Sequence, residues 1–229
     1  MLFRFGIGYD YEELKVTIDD KGGQLLKTEL LLIRHGETEW NKKLIFQGQS
    51  DIELNERGRK NSKKNAEFLK MLSYDHIYCS DLKRAKKTAR FIAREMGKEI
   101  IEAKEIRELN FGEWEGLGFK EIENKYPEEF KAWKEDPLKN HPPGGEEVSK
   151  FNHRVNKFFN NIIKKHKGEK IIVVTHGGVI KTYLTEIIEV PPNRFWQFQI
   201  ENNSLTEIKF FADSAILSKL NFLCGDNFK

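Results

Sequence analysis

Cysteine is scarce in this 229-residue chain: only Cys79 and Cys224 occur, far apart. That excludes a disulfide framework and any CxxC metal or redox motif, and makes a reducing, cytoplasmic setting the expectation. No apolar run approaches the ~20 residues of a membrane helix, so no membrane partner is expected. The N-terminus lacks a signal-peptide core, because Arg4, Gly6 and Gly8 interrupt Phe3, Phe5 and Ile7. A charge excess is missing too, with 39 basic residues against 36 acidic ones and a net charge of +3. The lysines are spread along helical segments with no aromatic-interleaved basic patch, so nucleic-acid binding has no support. Internal repeats and low-complexity tracts are absent. The length fits one domain with a substantial core.

What is present centres on Leu30-Leu31-Leu32-Ile33-Arg34-His35-Gly36. A short apolar run that stops on arginine, histidine and glycine reads as a strand buried on both faces. In parallel α/β sheets ligands sit beyond the carboxyl ends of strands, which is where Arg34 and His35 fall. The device recurs at Ile171-Ile172-Val173-Val174-Thr175-His176-Gly177-Gly178. A third strand, His76 to Cys79, runs into Ser80-Asp81-Leu82-Lys83-Arg84, with Arg84 in the first turn of the next helix. Two imidazoles, two guanidiniums and helix N-terminal amides at neighbouring strand ends suit a phosphoryl group.

Along the chain, Asn55 opens a helix running to about Met71, and Arg84 to Met96 forms the next, ended by Gly97. Glu99 to Ala103 reads as a short strand, Glu146 to Lys167 as a long amphipathic helix, and Gly178 to Ile188 as another helix. The tail reads as strand-like throughout, with Trp196 to Ile200, Ser204 to Phe211 and Ala215 to Phe222. Residues 106–145 differ from this framework, being rich in aromatics and short helical pieces and closed by Pro142-Pro143-Gly144-Gly145. They read as a lid or pocket wall, or as an irregular connection packed by its own aromatics. Residues 1–28 stand apart as an N-terminal extension: a small hairpin, a loose appendage, or a start codon placed too early. The expected architecture is a three-layer α/β/α domain over residues 29–229, with a mostly parallel central sheet and an inserted helical lid at about 106–145.

Histidine attack on phosphorus uses every piece of this set. Neutral imidazole is a good nucleophile at physiological pH. Phosphate-monoester hydrolysis is so slow uncatalysed that charge stabilisation and leaving-group protonation must also contribute. A zinc hydrolase is the chemical rival, but HExxH and HxH spacings are absent and both histidines are followed by glycine.

Arg34-His35-Gly36-Glu37-Thr38 with Trp40-Asn41, Ser80 to Ala85, Arg107-Glu108-Leu109-Asn110-Phe111-Gly112 and Thr175-His176-Gly177-Gly178 together resemble the histidine phosphatase superfamily, the phosphoglycerate mutase-like group. The resemblance runs from about Thr28 to Phe222 with all four blocks in order. It implies that His35 is transiently phosphorylated and that Glu108 protonates the leaving group. It further implies that Arg34, Arg84 and His176 hold the phosphoryl group, with Asn41, Gln47, Gly48 and Gly177 lining the site. No metal and no cofactor are implied, and the partner is a small phosphomonoester; the chain is expected to be a monomer or homodimer. Superfamily members that become inactive binding modules lose the nucleophile, an arginine or the acid, and here all are present.

Within the superfamily, mutases need extra arginines in the insertion to hold a second anion and shield the phosphohistidine. Between Trp114 and His153 there is no arginine, only lysines such as Lys120, Lys125, Lys131 and Lys134, which are poorer bidentate clamps. This favours a phosphatase. The segments around Trp114-Glu115-Gly116, Tyr126-Pro127, Trp133 and Pro142-Pro143-Gly144-Gly145 resemble the lid of the α-ribazole phosphatases, which act in cobalamin nucleotide-loop assembly. Broad-specificity phosphatases and phosphoglycerate mutases are the alternatives.

Overall fold

Seven consecutive buried or nearly buried residues, Thr28–Arg34, make the first strand, β1. Successive side chains on a strand point to opposite faces. Leu30 and Leu32 accordingly enter one hydrophobic cluster, and Leu31 and Ile33 enter another. Each such fully buried side chain contributes about 1.5–3 kcal/mol, so β1 is anchored from both sides. The computed structural model describes residues 27–212 and 214–224; the expected N-terminal hairpin lies outside them.

The remaining strands are β2 (His76–Ser80), β3 (Ile100–Ala103), β4 (Lys170–Thr175), β5 (Leu205–Phe210) and β6 (Ala215–Phe222). They form one sheet in the order β3-β2-β4-β1-β5-β6. β3, β2, β4 and β1 are mutually parallel, whereas β5 and β6 add an antiparallel edge. The mostly parallel sheet expected from the alternation of strands and helices is therefore present, with its mixed part confined to the tail.

Helices cover both faces. The chain-order set is α1 (Glu39–Lys42), α2 (Glu56–Leu69), α3 (Lys83–Met96), α4 (Phe119–Lys125), α5 (Pro127–Glu135), α6 (Val148–Lys165) and α7 (Gly177–Ile187). The apolar stripe of α6, including Phe151, Val155 and Phe159, packs with α7 on one face. Ala85, Ala89 and Ile92 of α3 pack with Ala66 and Leu69 of α2 on the other. Their termini follow local chemistry. The Asn55 side chain accepts the Gly58 N–H at 2.7 Å to start α2, and Gly97 at φ 63° closes α3.

The insertion carries α4 and α5 and has its own small core of Trp114, Ile122, Phe130 and Trp133. One expectation fails in the tail. Trp196 to Ile200 is not a strand; Pro192–Gln197 is a 3₁₀ turn. The Arg194 N–H donates to the Pro191 carbonyl and the Phe198 N–H to the Phe195 carbonyl, so these donors are spent within the turn rather than on a ladder, despite the alternation. Among the described residues no helix is long and apolar enough to cross a membrane.

Candidate active site

The register of the parallel pair β1 and β4 builds the site. Arg34 lies opposite Thr175, so the next residues, His35 and His176, leave adjacent strand ends together. The His35 N–H donates to the Thr175 carbonyl at 2.9 Å, and the two rings lie 5.1 Å apart. Both are buried. The Gly36 carbonyl lies 2.7 Å from His35 Nδ1, so that nitrogen carries the proton. His35 Nε2 then offers its lone pair and accepts the Arg84 Nε–H at 3.3 Å.

Burial above all, then the Arg84 and Arg34 guanidiniums, holds the His35 pKa well below the ordinary 6.5, against the opposing Gly36 bond. His176 is held well below 6.5 first by burial and then by Arg84, the His35 ring and Arg34. Both imidazoles are neutral at pH 7. Ser80 Oγ accepts the Leu82 N–H at 3.4 Å and lies 2.8 Å from His176 Nε2, which holds the ring in place. Its Nδ1 is buried and, like Arg34 Nε, finds no hydrogen-bond partner among the described residues.

Arg84 is fully buried at the start of α3. Burial pushes its pKa down to about 10, which still leaves it cationic at pH 7. Its Nη1 and Nη2 donate to the carbonyls of Ser50 and Gly48 at 2.7 and 2.6 Å. Gly48 therefore contributes a carbonyl that aims Arg84. The loop carrying it is gripped by Glu115, whose carboxylate accepts the N–H groups of Gln49 and Ser50 at 2.8 Å each. A Cβ on Gly48 would lie 1.9 Å from Glu115 Oε1, and φ is +49° there, so only glycine fits. Gln47 is held inward, accepting from Thr38 Oγ1 at 2.9 Å. Asn41 caps α1 reciprocally with Thr38 and also borders the cavity described below. Of the two, Asn41 faces open space, while Gln47 braces the loop beneath it.

Glu108 approaches from the other side. Its Oε2 accepts the Gly178 N–H at 3.0 Å, in the first turn of α7, and its Oε1 accepts the Leu109 N–H at 2.9 Å. The backbone beneath it is clamped by Arg154, which sequence reasoning missed. Arg154 Nη1 donates to the carbonyls of Glu105 and Arg107 at 2.7 and 2.8 Å, and Nη2 to that of Glu108 at 3.0 Å. The same guanidinium is paired with Glu146 at 2.7 and 2.8 Å. Arg107 adds a fork onto Asp81 at 2.6 and 2.5 Å, a hydrogen bond that lowers the Asp81 pKa. Arg154 sits on an ordinary amphipathic helix, so its signal is visible only once α6 is laid beside residues 105–108.

Arg34, Glu108, Gly177 and Gly178 line a pocket of 180 Å³, and Arg34 is shared with a wider cavity of 720 Å³. The wider cavity has aromatic walls: Trp40, Phe46, Phe111, Phe119, Trp133 and Trp196. Only Phe111, Phe119 and Trp133 come from the insertion. Trp114 and Phe130 pack its interior instead: Trp114 meets Phe130 and Trp133 edge-on, and Phe130 stacks on Trp133. Trp196, from the 3₁₀ turn, meets Trp133 edge-on at 5.1 Å. Lys134, Lys181 and Glu201 are the other charged residues on the wall.

The sequence profile described as histidine phosphatase superfamily (branch 1) matches residues 30–223. Phosphoserine phosphatase 1 of Hydrogenobacter thermophilus is 35% identical over 196 residues, 86% of this chain and 93% of that protein. The adenosylcobalamin/α-ribazole phosphatase of Salmonella typhimurium is 29% identical, over 84% and 95%. Among solved structures, the α-ribazole phosphatase from Shigella flexneri superposes with a TM-score of 0.79 at 29% identity, covering 84% of this chain and 96% of that one.

Proposed function

The chain belongs to the histidine phosphatase superfamily and is a phosphatase, and on that footing we propose that it hydrolyses α-ribazole 5′-phosphate through a phosphohistidine on His35. The observation that carries the mechanism is a buried, neutral His35 whose Nε2 lone pair lies beside the Arg84 guanidinium and which directly follows Arg34, a residue lining the aromatic cavity. His35 Nε2 attacks phosphorus and the ester P–O bond breaks. Glu108 gives its proton to the departing alkoxide oxygen. A water then gives a proton back to Glu108 as its oxygen attacks the phosphohistidine, releasing inorganic phosphate and neutral His35.

Charge on the equatorial oxygens is met by Arg34, Arg84 and His176. These groups are already positioned by the fold, so no reorganisation is needed as the charge develops. Buried charge-assisted hydrogen bonds of this kind are stronger than neutral ones. His176 and the two guanidiniums bind, whereas Glu108 alone moves a proton.

The aromatic walls support the substrate. α-Ribazole 5′-phosphate has one phosphate and a broad aromatic base, and needs stacking surface more than a second anion clamp. Stacking on an aromatic side chain is worth about 1–3 kcal/mol per base, roughly tenfold or more in relative kcat/KM. A second reading, phosphoserine, has a specific observation behind it: Lys181 and Glu201, of opposite charge, share the cavity and match a carboxylate and an ammonium.

The test is kcat/KM of the purified protein on α-ribazole 5′-phosphate, O-phosphoserine and 3-phosphoglycerate. The ribazole ester should lead by about tenfold, and Trp196→Ala should shrink that lead. A lead for phosphoserine replaces the substrate but not the mechanism. Substantial activity in His35→Ala removes the mechanism.

A further inference from the structure

The far end of the sheet carries a second cluster of imidazole and carboxylate groups. Glu169 Oε2 lies 2.8 Å from His76 Nε2 and 2.6 Å from His166 Nδ1, and the two rings are 3.9 Å apart. Among the described residues these three form the one group of histidine, cysteine or carboxylate side chains whose donor atoms converge, all within 4.8 Å. His76 begins β2, whose last residue, Ser80, bonds His176. Four residues of strand place the cluster roughly 13 Å from the phosphoryl site.

The backbone holds these three side chains ready. His166 is the C-terminal cap of α6, and the turn to Glu169 is closed by the Glu169 N–H on the His166 carbonyl at 3.1 Å. Gly168 at φ +80° makes that turn, and its N–H is tied to Thr28 Oγ1 at 2.9 Å. On the other side, the Asp75 N–H donates to the Lys170 carbonyl at 2.7 Å and Asp75 Oδ2 accepts the Lys170 N–H at 2.8 Å. His76 and Glu169 are thus pinned across two adjacent strands. The buried His166 has its other nitrogen, Nε2, 2.9 Å from the Tyr78 hydroxyl. A metal-bound histidine usually anchors its second nitrogen in this way.

We propose that His76, His166 and Glu169 bind one divalent transition-metal ion of the zinc class, which ties the end of α6 to the starts of β2 and β4 and takes no part in phosphoryl transfer. Two imidazoles and one carboxylate with room for a water suit Zn²⁺, while Mg²⁺ and Ca²⁺ prefer all-oxygen sets. Tetrahedral Zn²⁺ holds its ligand atoms roughly 3.4 Å apart, so each carboxylate-to-imidazole distance must lengthen by less than about 1 Å. Glu169, 44% exposed, has the freedom to turn. In the bound state each neutral imidazole presents a bare nitrogen to the metal and keeps its one proton on the other: His166 on Nε2, facing the Tyr78 oxygen, and His76 on Nδ1.

The full-length protein, treated with EDTA and desalted, is titrated with Zn²⁺ by calorimetry and by competition with a chromophoric chelator. One Zn²⁺ should bind per chain and raise Tm, and Mg²⁺ should do neither. His76→Ala and Glu169→Gln should abolish saturable binding, and Tyr78→Phe should weaken it by about 10–100-fold. All three should keep wild-type kcat/KM on p-nitrophenyl phosphate, with or without Zn²⁺. No saturable binding, or unchanged affinity in both Glu169→Gln and His76→Ala, would mean that the trio is only a hydrogen-bonded ion pair.

Discussion

Replacing Gly178 by alanine separates the acid from the rest of the site. A Cβ at Gly178 would lie 2.2 Å from Glu108 Oε1, where ordinary contact starts at 3.4 Å, so that oxygen must move by about 1.2 Å. The obstacle is the end of a flexible side chain rather than backbone, so the carboxylate swings aside and the fold is kept. A displacement of about 1 Å in a catalytic group costs roughly 10²-fold, within the 10²–10⁴ that general acid catalysis supplies. Nothing in the guanidinium set is touched, because the nearest atoms to the new methyl all belong to Glu108. Alanine is also the better helix former, by about 1 kcal/mol in a helix interior, and position 178 lies in the first turn of α7.

The expected outcome is therefore a fall of about 10²-fold in kcat/KM on alkyl phosphates such as glycerol phosphate. On p-nitrophenyl phosphate, whose leaving group departs without a proton, the fall should be only a few-fold. Tm should hold or rise, and competitive inhibition by inorganic phosphate should be unchanged. Equal losses on both substrates would refute the argument, because they would mean that Glu108 acts on the phosphoryl group or that Gly178→Ala disturbs the binding set. No loss on either would mean that Glu108 is not the proton donor.

Two further outcomes follow from the buried charges. His35 and His176 are neutral in the native state and ordinary, near 6.5, when unfolded. Below that value the unfolded chain takes up protons that the native one refuses, so stability is complete above pH 6.5 and lost as pH falls toward the depressed native values. The slope approaches about 1.4 kcal/mol per pH unit for each imidazole; urea unfolding flat between pH 7 and 5.5 would contradict it. Arg154→Lys should destabilise by about 2–4 kcal/mol, somewhat under the figure for a fully buried pair. It should also lower kcat on alkyl phosphates more than on p-nitrophenyl phosphate, since lysine cannot fork across Glu146 and three carbonyls. Wild-type Tm and rates in that variant would show that the clamp is idle.

The pieces that were legible in the sequence are those whose information is local. A strand buried on both faces must be a continuous apolar run, so Leu30 to Ile33 and Ile171 to Val174 announced themselves, and the histidine at each end came with them. Helix limits were readable within a few residues because Asn55 and Gly97 act on their own backbone neighbours. Trp196 misled because alternation describes a side-chain pattern. It does not say where the backbone donors go, and here the Arg194 and Phe198 N–H groups close local 3₁₀ hydrogen bonds instead of pairing with a strand.

Aromaticity in the insertion was equally plain, but its use was not. Whether Trp114 or Trp133 faces a ligand depends on which side of a small core each ring occupies, and Trp40, Phe46 and Trp196 reach the same cavity from elsewhere in the chain. The Arg154 clamp, the Glu115 latch and the His76–Glu169–His166 trio lay beyond reach for the same reason. Each joins segments separated by tens of residues, through hydrogen bonds whose length is fixed only when helices and strands pack. The α/β alternation, the two strand-end histidines and Arg34 beside one of them can be read from neighbouring residues, because strand burial and chain reversal are local. What those groups are worth depends on how the strands and helices pack. The Arg34–Thr175 register sets the rings 5.1 Å apart, and the burial it brings keeps both imidazoles neutral, which is a property of the packed environment and of no single residue.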